Sequence, residues 1–146
     1  MRVFTRPDVV TAARGWIGTP YHHQASLPGV GADCLGLIRG VYREITGSEA
    51  PAVPSYSRDW DEATGHESML AAARTHLVER DRGLALPGDV LIFRMRSSGI
   101  AKHAAILASN VTMIHAMEGA SVTEVPYSAW WSRRLAGVFS FPGIGA

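Results

Sequence analysis

After Pro87-Gly88 the hydrophobic period of this chain changes, and that change restricts its architecture more than any other feature. Beyond it lie five short runs rich in β-branched and aromatic residues: Asp89 to Met95, Lys102 to Ala108, Val111 to Ala116, Val122 to Val125 and Val138 to Phe141. Turn residues separate them, which reads as a small antiparallel sheet of five strands. Before it the period is helical. Thr5-Arg6-Pro7-Asp8 has the composition of a helix start, with Thr5 as cap, Pro7 in the first turn and Asp8 at the positive end. Val9, Val10, Ala13, Trp16 and Ile17 then recur at helical spacing up to Gly18. A second helix begins after Asp33 as N-cap, carries Leu37, Ile38, Val41, Tyr42 and Ile45 on one stripe, and stops at Gly47. The stretch from Ser48 to Tyr56, with Pro51 and Pro54, reads as an ordered connector. A third, more polar helix is expected from about Asp59 to Arg80, and a short one from Tyr127 to Arg134, where Trp130 and Trp131 serve packing or ligand contact. Helices segregated ahead of strands predict an α+β fold with the helices on one side of the sheet.

At 146 residues, 47% of them hydrophobic, the chain fits one domain, residues 1–146, with a full core. Lys and Arg number 14 against 13 Asp and Glu, so no broad basic face for nucleic acid is expected. The amino-terminal MRVFTRPDVV lacks the apolar stretch of a signal peptide, and no segment approaches the roughly 20 apolar residues of a membrane span. Synthesis in the cytoplasm without a secretion signal is the expectation.

The single cysteine, Cys34, cannot form an intrachain disulfide and falls at the first position of the second helix. Unpaired backbone N–H groups and the helix dipole favour a thiolate there. With a histidine nearby, such placement lowers a cysteine pKa from about 8.5 to around 3.5–7.5, and the same N–H groups can receive an oxyanion. A small buried apolar residue is the ordinary reading of a lone cysteine, so a base is required. His103 and His115 lie on two successive strands joined by a turn around Ser109. A three-residue loop centred on Ser109 puts them directly opposite each other on one face, whereas a two-residue Ser109-Asn110 turn puts them on opposite faces. Each histidine alone reads as a core or sheet-edge residue. With Cys34 they make a nucleophile, a base and an orienting group.

Thr19-Pro20-Tyr21, Asp33-Cys34-Leu35-Gly36, Pro87-Gly88-Asp89, His103 ahead of an apolar strand, and Ile114-His115-Ala116 together resemble the NlpC family of papain-like cell-wall cysteine peptidases. The runs DCLGLIRGVYREITG and GDVLIFRMR and the terminal WWSRR and FSFP are most similar to peptidases encoded among tail genes of phages and gene transfer agents. The resemblance implies a papain-like fold and hydrolysis of an amide in the peptide stem of peptidoglycan, commonly between D-γ-glutamyl and a diamino acid. It implies Cys34, His103 and His115 as catalytic residues, Tyr21 as a contributor to the oxyanion site and Asp33 as a contact for the stem's free amine. It implies no cofactor, tail-tip or baseplate proteins as partners, and action on the periplasmic wall from a virus-like particle. Tyr21 as a packing residue and Asp33 as a plain cap are the ordinary alternatives.

The family's usual serine after the cysteine is replaced by Leu35, which removes a polar contact and bears on which bond is cut. His22 and His23 read as an exposed loop pair, with binding of stem carboxylates as the functional option. No close CxxC or HxxxH pair supports a metal site. Arg133-Arg134 reads as a solvated helix end or a grip on an anionic polymer or a neighbouring subunit, Glu118 as exposed, and Met113 and Met117 as core filler. Three function classes remain open: a hydrolase, a non-catalytic tail subunit using the fold as a binding module, and a thiol acyltransferase.

Overall fold

A computed structural model describes residues 3–48, 67–96 and 99–144. The elements in chain order are α1 (Arg6–Arg14), β1 (Ser26–Leu27), β2 (Gly31–Ala32), α2 (Cys34–Thr46), α3 (Ser68–His76), β3 (Val78–Arg80), β4 (Val90–Arg94), β5 (Ala101–Leu107), β6 (Thr112–His115), β7 (Thr123–Pro126), α4 (Ala129–Ser132) and β8 (Leu135–Ser140). Six strands pair antiparallel in the order β3-β8-β4-β5-β6-β7, and β1-β2 form a separate hairpin. The connector to Tyr56 lies beyond Ser48 outside the described residues, as does the third helix ahead of Glu67.

The helix starts follow their capping chemistry. Thr5 and Asp8 form a reciprocal capping box on α1. Asp33 caps α2 by accepting from the Gly36 N–H at 2.7 Å, and Gly47 ends the helix in the left-handed conformation at φ 73°. Two differences from the sequence expectation are local. α1 stops at Arg14, so Ile17 leaves the apolar stripe and is 45% exposed, while Trp16 turns inward and its indole N–H donates to Glu44 at 3.0 Å. That ring lies so close to α2 that a Cβ at Gly40 would sit 1.9 Å from Trp16 Cζ2.

The second difference adds a strand to the expected five. The third helix ends at His76, and Val78–Arg80 becomes an edge strand paired with β8. Its anchor is Asp89, fully buried, which accepts from Arg6 at 2.6 Å, Arg80 at 3.1 Å and the Leu86 N–H at 2.9 Å. The Pro-Gly-Asp motif is therefore a structural joint between α1, β3 and β4.

The sheet has two apolar faces. Val90, Ile92, Ala104, Ile106 and Ile114 pack with α1, α2 and α3. On the reverse, Leu91, Phe93, Ala105, Leu107, Met113 and Val138 are covered by Tyr127, Trp131 and Leu135. Met113 is core, as expected, whereas Met117 is 39% exposed. Glu118 is exposed. Among the described residues no helix is long and apolar enough to cross a membrane.

Candidate active site

α2 is held at its first turn by the loop before it. Gly36 approaches the Ala25 carbonyl so closely that a Cβ would lie 1.8 Å from that oxygen, and Ser26 Oγ donates to the Gly36 carbonyl at 2.6 Å. The Asp33 carboxylate uses its second oxygen to accept from the Gln24 N–H at 2.7 Å. This frame fixes Cys34, half-buried, against β5, where its sulfur accepts from the backbone N–H of Ala104, the residue after His103.

His103 and His115 meet on one face of the sheet, with His103 Nε2 2.9 Å from His115 Nδ1. The register that achieves this differs from the expected one by two residues, for His115 pairs with Ala105 rather than His103. The loop has three residues as expected, but its centre is Asn110. The Ser109 hydroxyl accepts from the Val111 and Thr112 N–H groups at 3.2 and 3.0 Å and so sets the turn one residue later. A shift of two residues keeps the face, so the imidazoles meet diagonally.

An aromatic wall surrounds the pair. Trp131 stacks on His103 at 5.5 Å and meets His115 edge-on at 5.3 Å, while Phe93, in register with His103, stacks on it at 6.1 Å. The sequence left Trp131 open between packing and ligand contact, and it does pack on the dyad. Phe93 passed as an ordinary strand residue, although its place opposite His103 was the available signal.

Tyr21 bridges to Ala32, two residues before Cys34, and packs half-buried against the core that Cys34 also touches. His22 is exposed with its ring over Gly31, while His23 is half-buried with Nδ1 3.9 Å from Asp33 Oδ2. Among the described residues no three His, Cys, Asp or Glu side chains gather as metal ligands.

The electrostatics reverse one expectation. Burial pushes the Cys34 thiol up to about 12, with the Asp33 charge acting the same way, and the N–H groups of Ala104, Leu35 and Cys34 only partly oppose them. Burial, then His115, pulls His103 down to about 3, and burial also lowers His115. A free thiolate was expected at the helix start. These directions favour a neutral thiol and a neutral imidazole at rest, with desolvation opposing the helix dipole at Cys34.

A family model described as the NlpC/P60 family matches residues 18–140. The chain belongs to the NlpC/P60 family. It is 28% identical over 138 residues to the gamma-DL-glutamyl hydrolase of Bacillus subtilis (strain 168), covering 93% of this chain and 29% of that protein. An NlpC/P60 family protein from Bacillus cereus ATCC 10987 superposes with a TM-score of 0.68 at 20% identity, over 96% of this chain and 41% of the other. The NlpC/p60 domain of the peptidoglycan hydrolase SagA gives 0.67 at 24% identity, over 94% and 99%. The chain thus spans less than a third of its curated relative, and the expected α+β fold is that of the family.

Proposed function

We propose that this chain is a cysteine peptidase acting on the peptide stem of peptidoglycan, with the D-γ-glutamyl to diamino acid amide as the bond cut. The observation that carries the reading is the 2.9 Å contact between His103 Nε2 and His115 Nδ1. It occupies Nε2 of His103 and leaves Nδ1 for the thiol proton. The family and its gamma-DL-glutamyl hydrolase relative from Bacillus subtilis support the same chemistry.

In this mechanism Cys34 Sγ attacks the amide carbon as its proton passes to His103 Nδ1. The transfer is coupled to bond formation, so no free thiolate accumulates, in keeping with the neutral resting pair. Backbone N–H groups at the start of α2 and the Tyr21 hydroxyl receive the oxyanion. Collapse breaks the C–N bond, His103 protonates the departing amine, and the acyl half remains as a thioester on Cys34. Water then attacks with His103 as base, regenerating the thiol and releasing a carboxylate. His115 steadies the His103 ring throughout, and Asp33 meets the amine of the acyl half.

Mass analysis of muropeptide digests tests this. Wild type yields fragments with new amines and Cys34→Ala yields none, while retained activity in that variant removes the mechanism.

One observation favours thiol acyl transfer as a second reading. A cavity of about 80 Å³ lies between α2, α3 and the sheet, lined mostly by apolar residues with Arg39, Tyr42 and His76 among them, and in part by Leu35 and Ala104, which flank the proposed catalytic residues in sequence. Acyl transfer to an added amine, without net release of stem amines, would select it.

The likeness to tail-gene peptidases supports carriage on a phage-like particle, with tail-tip or baseplate proteins as partners and the periplasmic wall as target. Detection of this chain in purified particles tests that placement, and its absence from them refutes it.

A further inference from the structure

Beyond the nucleophile and its histidines, a groove of about 630 Å³ is lined by Arg94, Met95, Arg96, Arg133, Arg134 and Leu135. Four of the six residues lining the groove are arginines, a local basic concentration that the near-neutral composition hides. Their fates differ. Arg94 is paired with Glu67 at 2.9 Å, and Arg134 stacks 3.6 Å above the Trp130 ring while donating to its carbonyl at 2.7 Å. Arg133 is exposed and has no side-chain hydrogen bond or ion pair among the described residues.

The groove begins where the dyad's wall ends. Phe93 and Trp131 flank His103, and the chain runs from them straight into Arg94 and into Arg133-Arg134, the two segments joined by the Arg94 N–H to Arg134 carbonyl bond at 2.9 Å. Asp33 is held in the loop before α2 by the Gln24 N–H. Phe93 is in register with both His103 and Leu135, and Leu135 lines the groove. Resting on the peptidase reading, Asp33 serves the acyl half and the arginine groove the amine-bearing half.

We infer that this arginine groove is a subsite for a free carboxylate on the leaving, amine-bearing half of the substrate, and that Arg133 and Arg134 make the chain discriminate that carboxylate from its carboxamide. Guanidinium forks match carboxylates in two parallel hydrogen bonds, and a carboxamide forfeits both the charge and one acceptor. Arg134, held on Trp130, arrives pre-oriented, and Arg133 supplies the unengaged donors.

The test uses the tripeptide L-alanyl-D-γ-glutamyl-meso-diaminopimelate with the diaminopimelate carboxyl groups free or converted to carboxamides. Binding is measured by calorimetry on the Cys34→Ala protein, and kcat/KM on wild type. The free acid should bind about tenfold more tightly than the carboxamide, with the preference shrinking as salt is added. Arg133→Gln and Arg134→Gln should each cut the preference by about threefold, because binding of the free acid falls more than binding of the carboxamide. Equal binding of the two forms, no binding of either, or a preference that survives in the double variant would overturn the subsite. Selective binding without cleavage by wild type sustains the subsite and overturns the peptidase reading. Cleavage without selectivity does the reverse.

Discussion

Two parts of this molecule bury a carboxylate, and they surround it with different groups. At the joint of α1, β3 and β4, Asp89 meets Arg6 and Arg80, so charge is answered by charge. At the start of α2, Asp33 is 2% exposed, accepts from the Gly36 and Gln24 N–H groups, and has the His23 ring nitrogen 3.9 Å from Oδ2. The Asp33 charge acts on the next residue and helps hold the Cys34 proton in place. His103 is buried too, and burial with His115 as its neighbour favours the neutral ring. The first region is a staple. In the second, burial favours the neutral form of both the Cys34 thiol and the His103 ring.

The largest expected effect tests the second region. His103 has an ordinary value of 6.5 and lies near 3 in the folded protein, so folding favours the neutral ring. Its contribution to stability is fully present above pH 6.5 and is lost as pH falls toward 3. Chemical denaturation across that range should show an acid limb of about 4 kcal/mol, much of it absent in His103→Gln. An unchanged limb in that variant would show that His103 is not buried as described.

Next comes the staple. Asp89→Asn leaves two arginines facing an uncharged group and should cost about 3 kcal/mol, lowering the thermal midpoint by roughly 10 °C. A loss below about 1 kcal/mol would place Asp89 among ordinary surface pairs and erase the contrast.

The smallest stability effect belongs to Asp33→Asn, since asparagine caps helices well and the change should cost about 1 kcal/mol or less. Its signature lies in the thiol, which loses a neighbouring negative charge. Thiolate absorbance against pH should show Cys34 titrating lower than in wild type, and a higher titration would contradict the assigned influence of Asp33.

What was legible in the sequence was local. Thr5 with Asp8, and Asp33 with Gly47, mark helix ends because capping is decided within a few residues, and Cys34 fell at the first turn as read. Features decided at a distance were harder. The edge strand at Val78–Arg80 is short and charged, with a helix immediately before it, and Asp89 with β8 make it a strand. The histidine register was off by two because Ser109 uses its hydroxyl to shift the turn, yet the shared face survived since parity did. The state of the thiol was read the wrong way because helix position is visible in sequence, whereas the burial that overrides it comes from residues distant in the chain.

The central claim is that Cys34 takes the acyl half of a stem peptide onto its sulfur. Rapid-quench mass spectrometry of the protein mixed with muropeptide measures this directly. The account predicts a transient mass gain equal to the acyl fragment, mapped to the peptide containing Cys34 and missing in Cys34→Ala. Stem cleavage that proceeds undiminished in Cys34→Ala, with no adduct on the wild-type sulfur, would contradict it.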